Sequence, residues 1–145
     1  MLATKEMPDA SATDLFNVII TDAAFRDDTM RIAESVAAAG RAAHVYEFGW
    51  KSGIDGLGAC HVLEVPFVFD RLAAAHTLTG PNAPQALADE VHRAWVDFAA
   101  HGDPGWERYT PGRRAVRIFY SPASAVQVDW RADELTALRN SRGSH

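Results

Sequence analysis

The sequence predicts an α/β chain that is rich in helices, with one central strand and a small hairpin near the C-terminal end. Three observations predict this class. Apolar residues recur at helical spacing in the first forty residues and again over residues 84–101. A short aromatic segment bounded by glycines lies between these regions. Two short segments with alternating apolar residues follow the second helical region.

The length and composition suit a single folded domain. The chain has 145 residues, of which 48% are hydrophobic, so a core that buries roughly two-thirds of the unfolded surface is possible. The formal net charge of −5 argues against binding to nucleic acid and to an anionic membrane surface. No run of residues approaches the roughly 18 consecutive apolar residues of a membrane-spanning helix. We therefore expect neither nucleic acid nor membrane as a partner.

The two ends of the chain are predicted to lie outside the folded unit. Residues 1–11 are polar and form a predicted flexible leader, residues 12–140 form one unit, and residues 141–145 resemble the start of a vector-encoded tag. A natural polar tail is the alternative for the last segment. The leader contains no apolar segment typical of a signal peptide, and Cys60 is the only cysteine. These features predict a cytoplasmic protein without an intrachain disulfide.

Two helices are predicted before the strand. The first covers residues 12–25 and can be capped by Ser11 or Thr13. The second begins at Asp27, where acidic side chains favour the helix N-terminus, and ends at Gly40. The apolar residues at helical spacing in the first helix are Leu15, Phe16, Ile19, Ile20 and Ala23.

The middle of the chain is predicted to contain a strand, a glycine-rich loop and the longest helix. Residues 43–50 are short, aromatic and bounded by glycines, as is typical of a strand. Residues 49–58 hold four glycines and predict a loop. A short helix is predicted over residues 70–76. The long helix starts near Pro84 and stops at Gly102, and its predicted buried stripe consists of Leu87, Val91, Ala94, Trp95 and Phe98.

The end of the chain is predicted to form a hairpin followed by a helix. Apolar residues alternate with polar ones in two neighbouring segments, separated by Ser-Pro-Ala-Ser at 121–124. The alternating residues are Val116, Ile118 and Tyr120, then Val126, Val128 and Trp130. Residues 131–140 complete the chain as a short final helix.

A histidine on the glycine-rich loop is the main candidate for chemistry. His61 directly precedes an apolar run, so it is expected at the edge of the core. Imidazole titrates near neutral pH and can accept and return a proton, which suits a general base. On these facts alone an ordinary loop histidine without a catalytic role is the favoured interpretation, because loop histidines are common.

Three segments resemble the type B carboxylesterase and cholinesterase family. GACHVLEVPFVFD (residues 58–70) is similar to the family segment that carries the histidine of the catalytic triad, and His61 stands at that position. AHVYEFGW (43–50) resembles the last central strand of the family. Residues 87–114, with Gly-Asp-Pro and Trp-Glu-Arg-Tyr, resemble the following helix and loop. The resemblance implies the C-terminal portion of an α/β-hydrolase fold.

The resemblance implies an ester hydrolase in which Ser, Glu or Asp, and His follow in that order. The serine attacks the ester carbonyl while the histidine takes its proton. The chain contains no Gly-x-Ser-x-Gly motif and no His-Gly-Gly-Gly segment. We therefore expect this chain to supply His61, and another part of the enzyme to supply the nucleophile and the acid. The isolated chain is expected to have little or no activity, and no cofactor is expected.

Other residues near His61 have alternative interpretations. Glu64 is interpreted as a structural or supporting carboxylate and not as the triad acid. Cys60 is interpreted as a buried, inert residue because neighbouring side chains point to opposite sides of an extended segment. Phe67 and Phe69 are interpreted as core residues first, with a position near substrate as the alternative. The histidines show no ligand spacing for a metal, so no metal site is expected.

The partners follow from the same reasoning. A small-molecule ester is the expected substrate once the site is complete. An incomplete sheet has unpaired edge groups, so the chain is expected to bind the N-terminal part of the same enzyme or to associate with itself. The alternative function is a non-catalytic oligomerising fragment or interaction domain.

Overall fold

The structure is a computed structural model that describes residues 11–142. Residues 1–10 of the predicted leader and residues 143–145 of the predicted tag lie outside the described residues. Within residues 11–142, no helix combines the length and the apolar character that crossing a membrane requires.

The described residues form a helix-rich α/β unit with a small sheet, as predicted. The elements in chain order are α1 (Ala12–Thr21), a π-helical segment (Asp22–Arg26), α2 (Asp27–Ala38), β1 (Val45–Phe48), α3 (Val65–Val68), a 3₁₀ segment (Leu72–Ala74), α4 (His76–Thr79), α5 (Gln85–His101), β2 (Ala115–Phe119), β3 (Ala125–Val128) and α6 (Ala132–Arg142). The backbone of α6 extends through Ser141 and Arg142, the first two residues of the predicted tag.

The first two predicted helices are one continuous helix, so the predicted break before Asp27 is wrong. Asp22 and Asp27 both have helical backbone angles and are both buried. Their spacing of five residues exceeds one α-helical turn, and the π-helical segment between them places both on the inner side. The acidic residues at 27 and 28 therefore lie inside the helix and do not start it.

Both ends of this long helix are capped as the sequence predicts. The Ser11 side chain accepts a hydrogen bond from the backbone of Asp14, and the Asp14 carboxylate accepts one from the backbone of Ser11. This reciprocal pair is a capping box. At the other end Gly40 has a φ of +71°, and Arg41 N–H donates to the carbonyl of Val36. This pattern is a Schellman motif, which ends the helix.

The sheet has three strands in the order β1-β2-β3. The predicted hairpin is confirmed, because β2 and β3 are antiparallel neighbours. The hairpin also pairs with the central strand, since β1 runs parallel to β2 with Val45 opposite Val116. One edge of β1 is therefore covered, and the expectation of a wholly unpaired central strand is wrong. The other edge of β1 has no neighbouring strand among the described residues.

Helices cover both faces of the sheet. On one face α3 and α5 pack on aromatic residues of β1 and β2, and this cluster contains Phe67, Leu72, Leu87, Ala88, Val91, Ala94 and Phe119. On the other face α2 and α6 pack on the alternate residues of the same strands, and this cluster contains Met30, Ala33, Val45, Tyr109, Val116 and Leu135. The strand period of two residues divides the side chains between these two clusters.

Helix α5 has its predicted limits but only part of its predicted buried stripe. Gly102 adopts the left-handed conformation that ends the helix. Leu87, Val91 and Ala94 are buried. Trp95 and Phe98 are exposed, so their prediction as buried residues is wrong. Their rings lie edge-on to those of Tyr46 and His44, and no further strand within residues 11–142 covers them.

Buried charges join the π-helical segment to the sheet and to the chain end. Arg26 forms two hydrogen bonds to the Glu47 carboxylate of β1, at 2.8 and 2.6 Å, and a third to Asp22 at 2.8 Å. Arg131 donates to both carboxylate oxygens of Asp22. The indole of Trp130 donates to Glu47 at 2.9 Å. The helix cannot rotate without breaking several of these charge-assisted bonds.

A second set of charged contacts joins α2 to α6. The fully buried Asp27 carboxylate accepts hydrogen bonds from Arg31 at 3.0 Å and from Arg139 at 2.5 Å. Arg139 also donates to Glu34 at 3.2 Å. Burial alone would raise the pKa of the Asp27 carboxyl, but the hydrogen bonds from Arg139 and Arg31 outweigh it and lower that pKa. Asp27 is therefore a charged residue inside the fold.

Candidate active site

The loop that leads to His61 is fixed at its base. The backbone N–H of Ser52 donates to the carbonyl of Gly58, which closes the loop on itself at 2.9 Å. The Ser52 hydroxyl donates to the carbonyl of Leu78 at 2.6 Å. Gly53 N–H donates to the carbonyl of Thr79. Gly80 has a φ of +77°, and a Cβ there would lie 3.1 Å from Gly53, so this close approach requires glycine.

His61 lies at the tip of a tight turn. Leu63 N–H donates to the carbonyl of Cys60 at 3.3 Å, so His61 and Val62 are the two central residues of the turn. Val62 has a φ of +63°, which a type II turn requires at its second central position. Leu63 is fully buried directly after it. The turn therefore holds the backbone firmly and leaves the His61 side chain exposed.

The His61 ring lies against Phe25 of the π-helical segment. The ring centroids are 6.2 Å apart and the planes differ by 23°, which is a stacked arrangement. No described side chain forms a hydrogen bond or an ion pair with the imidazole. The described residues thus place the histidine at the surface with an aromatic contact and without an acid partner.

Glu64 and the open edge of β1 line a groove beside the histidine. The groove has a volume of about 520 Å³ and runs between the long helix and the His61 loop. Its lining residues include Phe25, Tyr46, Phe48, Ala59 and Glu64. Burial raises the pKa of the Tyr46 hydroxyl, and the charge of Glu64 raises it further. The negative charge of the Glu64 carboxylate therefore affects the ionisation of a residue that lines the groove.

The remaining predicted site residues fall into different environments. Cys60 is half-buried and lies at the start of a turn, so the expectation of a buried residue in an extended segment is wrong. Phe67 is fully buried and contacts Phe48 and Trp50, as expected of a core residue. Phe69 is 66% exposed, so its interpretation as a core residue is wrong.

The site also contains residues that sequence reasoning did not single out. Phe25 is the last residue of the first predicted helix, and its contact with His61 depends on the π-helical segment, which has no periodic signal in the sequence. The groove likewise depends on how helix and loop approach β1. Within residues 11–142, no group of three or more His, Cys, Asp or Glu side chains could hold a metal ion.

Known proteins resemble this chain in sequence. Phenmedipham hydrolase from Pseudarthrobacter oxydans is 32% identical over 83% of this chain. The matched part is 27% of the length of that hydrolase. No family model matches the chain.

Solved structures of esterases share the fold. The carboxylesterase EST55 from Geobacillus stearothermophilus is 33% identical, with a TM-score of 0.79 over 93% of this chain and 30% of its own length. A thermophilic para-nitrobenzyl esterase is 22% identical, with a TM-score of 0.77 over 93% of this chain and 29% of its own length. This chain thus spans less than a third of the length of these enzymes. In sequence and in fold it belongs to the carboxylesterase family of α/β-hydrolases that includes the para-nitrobenzyl esterases, and it corresponds to part of their length.

Proposed function

We propose that this chain supplies His61 as the general acid and base of a carboxylic ester hydrolase. The nucleophilic serine and the triad acid come from a part of the enzyme that this chain does not contain. In the complete site His61 takes the proton of the serine as it attacks the ester carbonyl, then gives a proton to the leaving alcohol. The substrate is a small-molecule ester, and no cofactor takes part. A cytoplasmic location belongs to the same proposal and is supported by the single cysteine.

The position of His61 is the observation that carries the proposal. Strands β1 and β2 are parallel, so their carboxyl ends meet at one edge of the sheet. The chain leaves β1 at that edge, at Phe48, and returns in the turn that displays His61. In open α/β sheets, ligands bind outside the carboxyl ends of the strands. An exposed imidazole on a firmly held turn at this edge can reach a nucleophile from a neighbouring element.

The groove along β1 supports the N-terminal part of the same enzyme as the partner. The groove is lined by residues of β1, and no described strand pairs with the outer edge of that strand. An extended segment that pairs with this edge would fill the groove and satisfy the backbone groups along it. Large apolar side chains are exposed on α1, whose last residue Thr21 lines the groove, namely Phe16, Ile19 and Ile20. A further layer of the enzyme would cover them.

The test is a reconstitution with and without the histidine. This chain is mixed with the part of the 33%-identical carboxylesterase that it does not match. Hydrolysis of p-nitrophenyl acetate and labelling of serine by a phosphonate are then measured. We expect both to appear in the mixture and to fall by a factor of about 100 to 10,000 in His61→Ala. The chain alone should be as slow as its own His61→Ala variant.

A matched control variant distinguishes the effect of losing His61 from the effect of losing any exposed histidine. His101 is exposed at the end of α5, away from the turn, and His101→Ala should leave the reconstituted activity unchanged. If the mixture is active and His61→Ala remains equally active, the proposal is wrong. If the chain alone turns over and is labelled on a serine, the proposal that its nucleophile comes from elsewhere is wrong.

The second candidate is a non-catalytic fragment that oligomerises. The open β1 edge and the exposed apolar residues of α1 favour it, because either surface can bind a second copy. Hydrolysis by the reconstituted mixture that is lost in His61→Ala would support the ester hydrolase and contradict the non-catalytic fragment.

A further inference from the structure

We propose that Phe25 is a positioning residue for His61, held in place by the π-helical segment that carries it. The proposal rests on the proposed role of His61 as general base and adds a residue from a different element to that site. Phe25 acts through the imidazole and does not itself touch the reacting atoms.

The contact restricts a side chain that is otherwise unrestrained. Among the described residues, the Phe25 ring is the aromatic partner of His61, with centroids 6.2 Å apart and planes 23° apart. No described carboxylate or hydroxyl holds either imidazole nitrogen. The turn fixes the His61 backbone but not the torsions of its side chain. The stacked ring is therefore the group that selects one orientation of the imidazole.

The π-helical segment explains why Phe25 reaches the loop. One extra residue in this turn allows Asp22 and Asp27 to face the interior together. Phe25 lies between them and points outward, with 57% of its surface exposed. Arg26 follows directly and is bound to Glu47 of β1 by two hydrogen bonds. The residue that carries the stacked ring is thus adjacent to one that is fixed to the sheet.

Orientation matters because a general base must point at the proton that it removes. A misplacement of about 1 Å can cost roughly a factor of 100 in rate. A ring that stacks on the imidazole limits its rotation before the serine partner arrives. We therefore expect Phe25 to affect the rate of the catalytic step, kcat, and not the binding of substrate.

The test measures the orientation of the His61 side chain in this chain by NMR. In the wild type we expect contacts between the ring protons of Phe25 and His61. The three-bond couplings of His61 should show one dominant χ1 rotamer. Phe25→Leu keeps an apolar side chain without a ring and should give averaged couplings. Phe25→Tyr should retain the wild-type couplings. Phe16→Leu, at another exposed phenylalanine of the same long helix, is the matched control and should leave His61 unchanged.

In the reconstituted enzyme Phe25→Leu should lower kcat by up to about tenfold with little change in KM, since an aromatic pair contributes roughly that factor. Phe25→Tyr should restore kcat. Wild-type couplings of His61 in a folded Phe25→Leu chain would overturn the positioning role. Averaged couplings together with activity that does not need His61 would instead refute the proposed function of His61.

Discussion

The backbone of Val62 is unusual for its residue type. A φ of +63° brings the Cβ of an L-residue close to the backbone, and the conflict is greatest for β-branched side chains. The conformation persists because buried Leu63 and the hydrogen bond from its N–H to Cys60 fix the turn around it. This strain lies directly beside His61, as is common at functional sites.

Val62→Gly should therefore stabilise the chain. Relief of strain of about 1–2 kcal/mol exceeds the entropic cost of glycine of about 0.5–1 kcal/mol. Val96→Gly is the matched control, since Val96 is about equally exposed but lies inside helix α5. That change should destabilise. Urea unfolding of the two variants should give opposite signs, and equal signs would contradict the strain argument.

Asp27 makes the stability depend on pH in the acid range. Its pKa is lower in the folded chain than its ordinary value. Its contribution is therefore fully present above the unfolded-state pKa of about 3.9 and is lost as the pH falls through the lower folded value. Asp27→Asn should reduce the free energy of unfolding at neutral pH by about 2–3 kcal/mol. It should also flatten the decline of that free energy below about pH 4.

Unfolding by urea at a series of pH values measures both effects. Asp28→Asn is the control, because Asp28 is the exposed neighbour in the same helix. It should follow the pH profile of the wild type. A wild-type acid slope in Asp27→Asn would show that other carboxyl groups govern the acid range.

At the scale of elements, the stability of the long helix depends on the caps at its ends and on the contacts of its π-helical segment. Few of its residues before Asp22 are covered, and none of α1 is buried. The capping box of Ser11 and the charged contacts of Arg26 therefore carry much of what holds its first half. A helix with so little burial is stabilised locally and by the partner that covers it.

Gly40→Ala tests the C-terminal stop of this helix. An added Cβ would meet nothing within 4 Å, so the whole cost comes from the φ of +71°. We expect a loss of about 1 kcal/mol in the free energy of unfolding. Gly112→Ala is the matched control, because its Cβ would also meet nothing and its φ does not require glycine. The free energy of unfolding of that variant should equal or exceed that of the wild type. A similar loss in both variants would contradict the explanation by backbone conformation.

At the scale of the whole molecule, part of the surface of the described residues has the apolar character of a protein interior. No part of residues 11–142 covers the outer edge of β1, the groove beside it or the apolar residues of α1. Such a combination marks a surface that binds protein. The charged contacts between the long helix and β1 border the same groove, since Arg26 and Glu47 are among its lining residues.

We therefore expect the isolated chain to associate with itself at micromolar concentration. Light scattering should give a mass above that of one chain. The double change Ile19→Lys and Ile20→Lys places charges on the exposed face of α1 and should lower that mass. Lys51→Gln, at an exposed residue beyond β1, should not. A mass of one chain for the wild type would contradict the expectation.

The sequence by itself determined the family and several of the local elements. The capping residues Ser11 and Gly40, the limits of α5 and the hairpin follow from side-chain chemistry and periodicity over a few residues, so they were predictable. The motif around His61 indicated the family, which the similar proteins confirm.

Only the tertiary structure decided which surfaces are covered. The parallel pairing of β1 with β2 joins segments about seventy positions apart, and no local pattern encodes it. Trp95, Phe98 and Phe69 have the periodicity or composition of core residues but are exposed. The contact of Phe25 with His61 is made from a π-helical segment that no periodic pattern in the sequence predicts. Burial and long-range contact depend on the whole arrangement in space, and a window of sequence does not contain it.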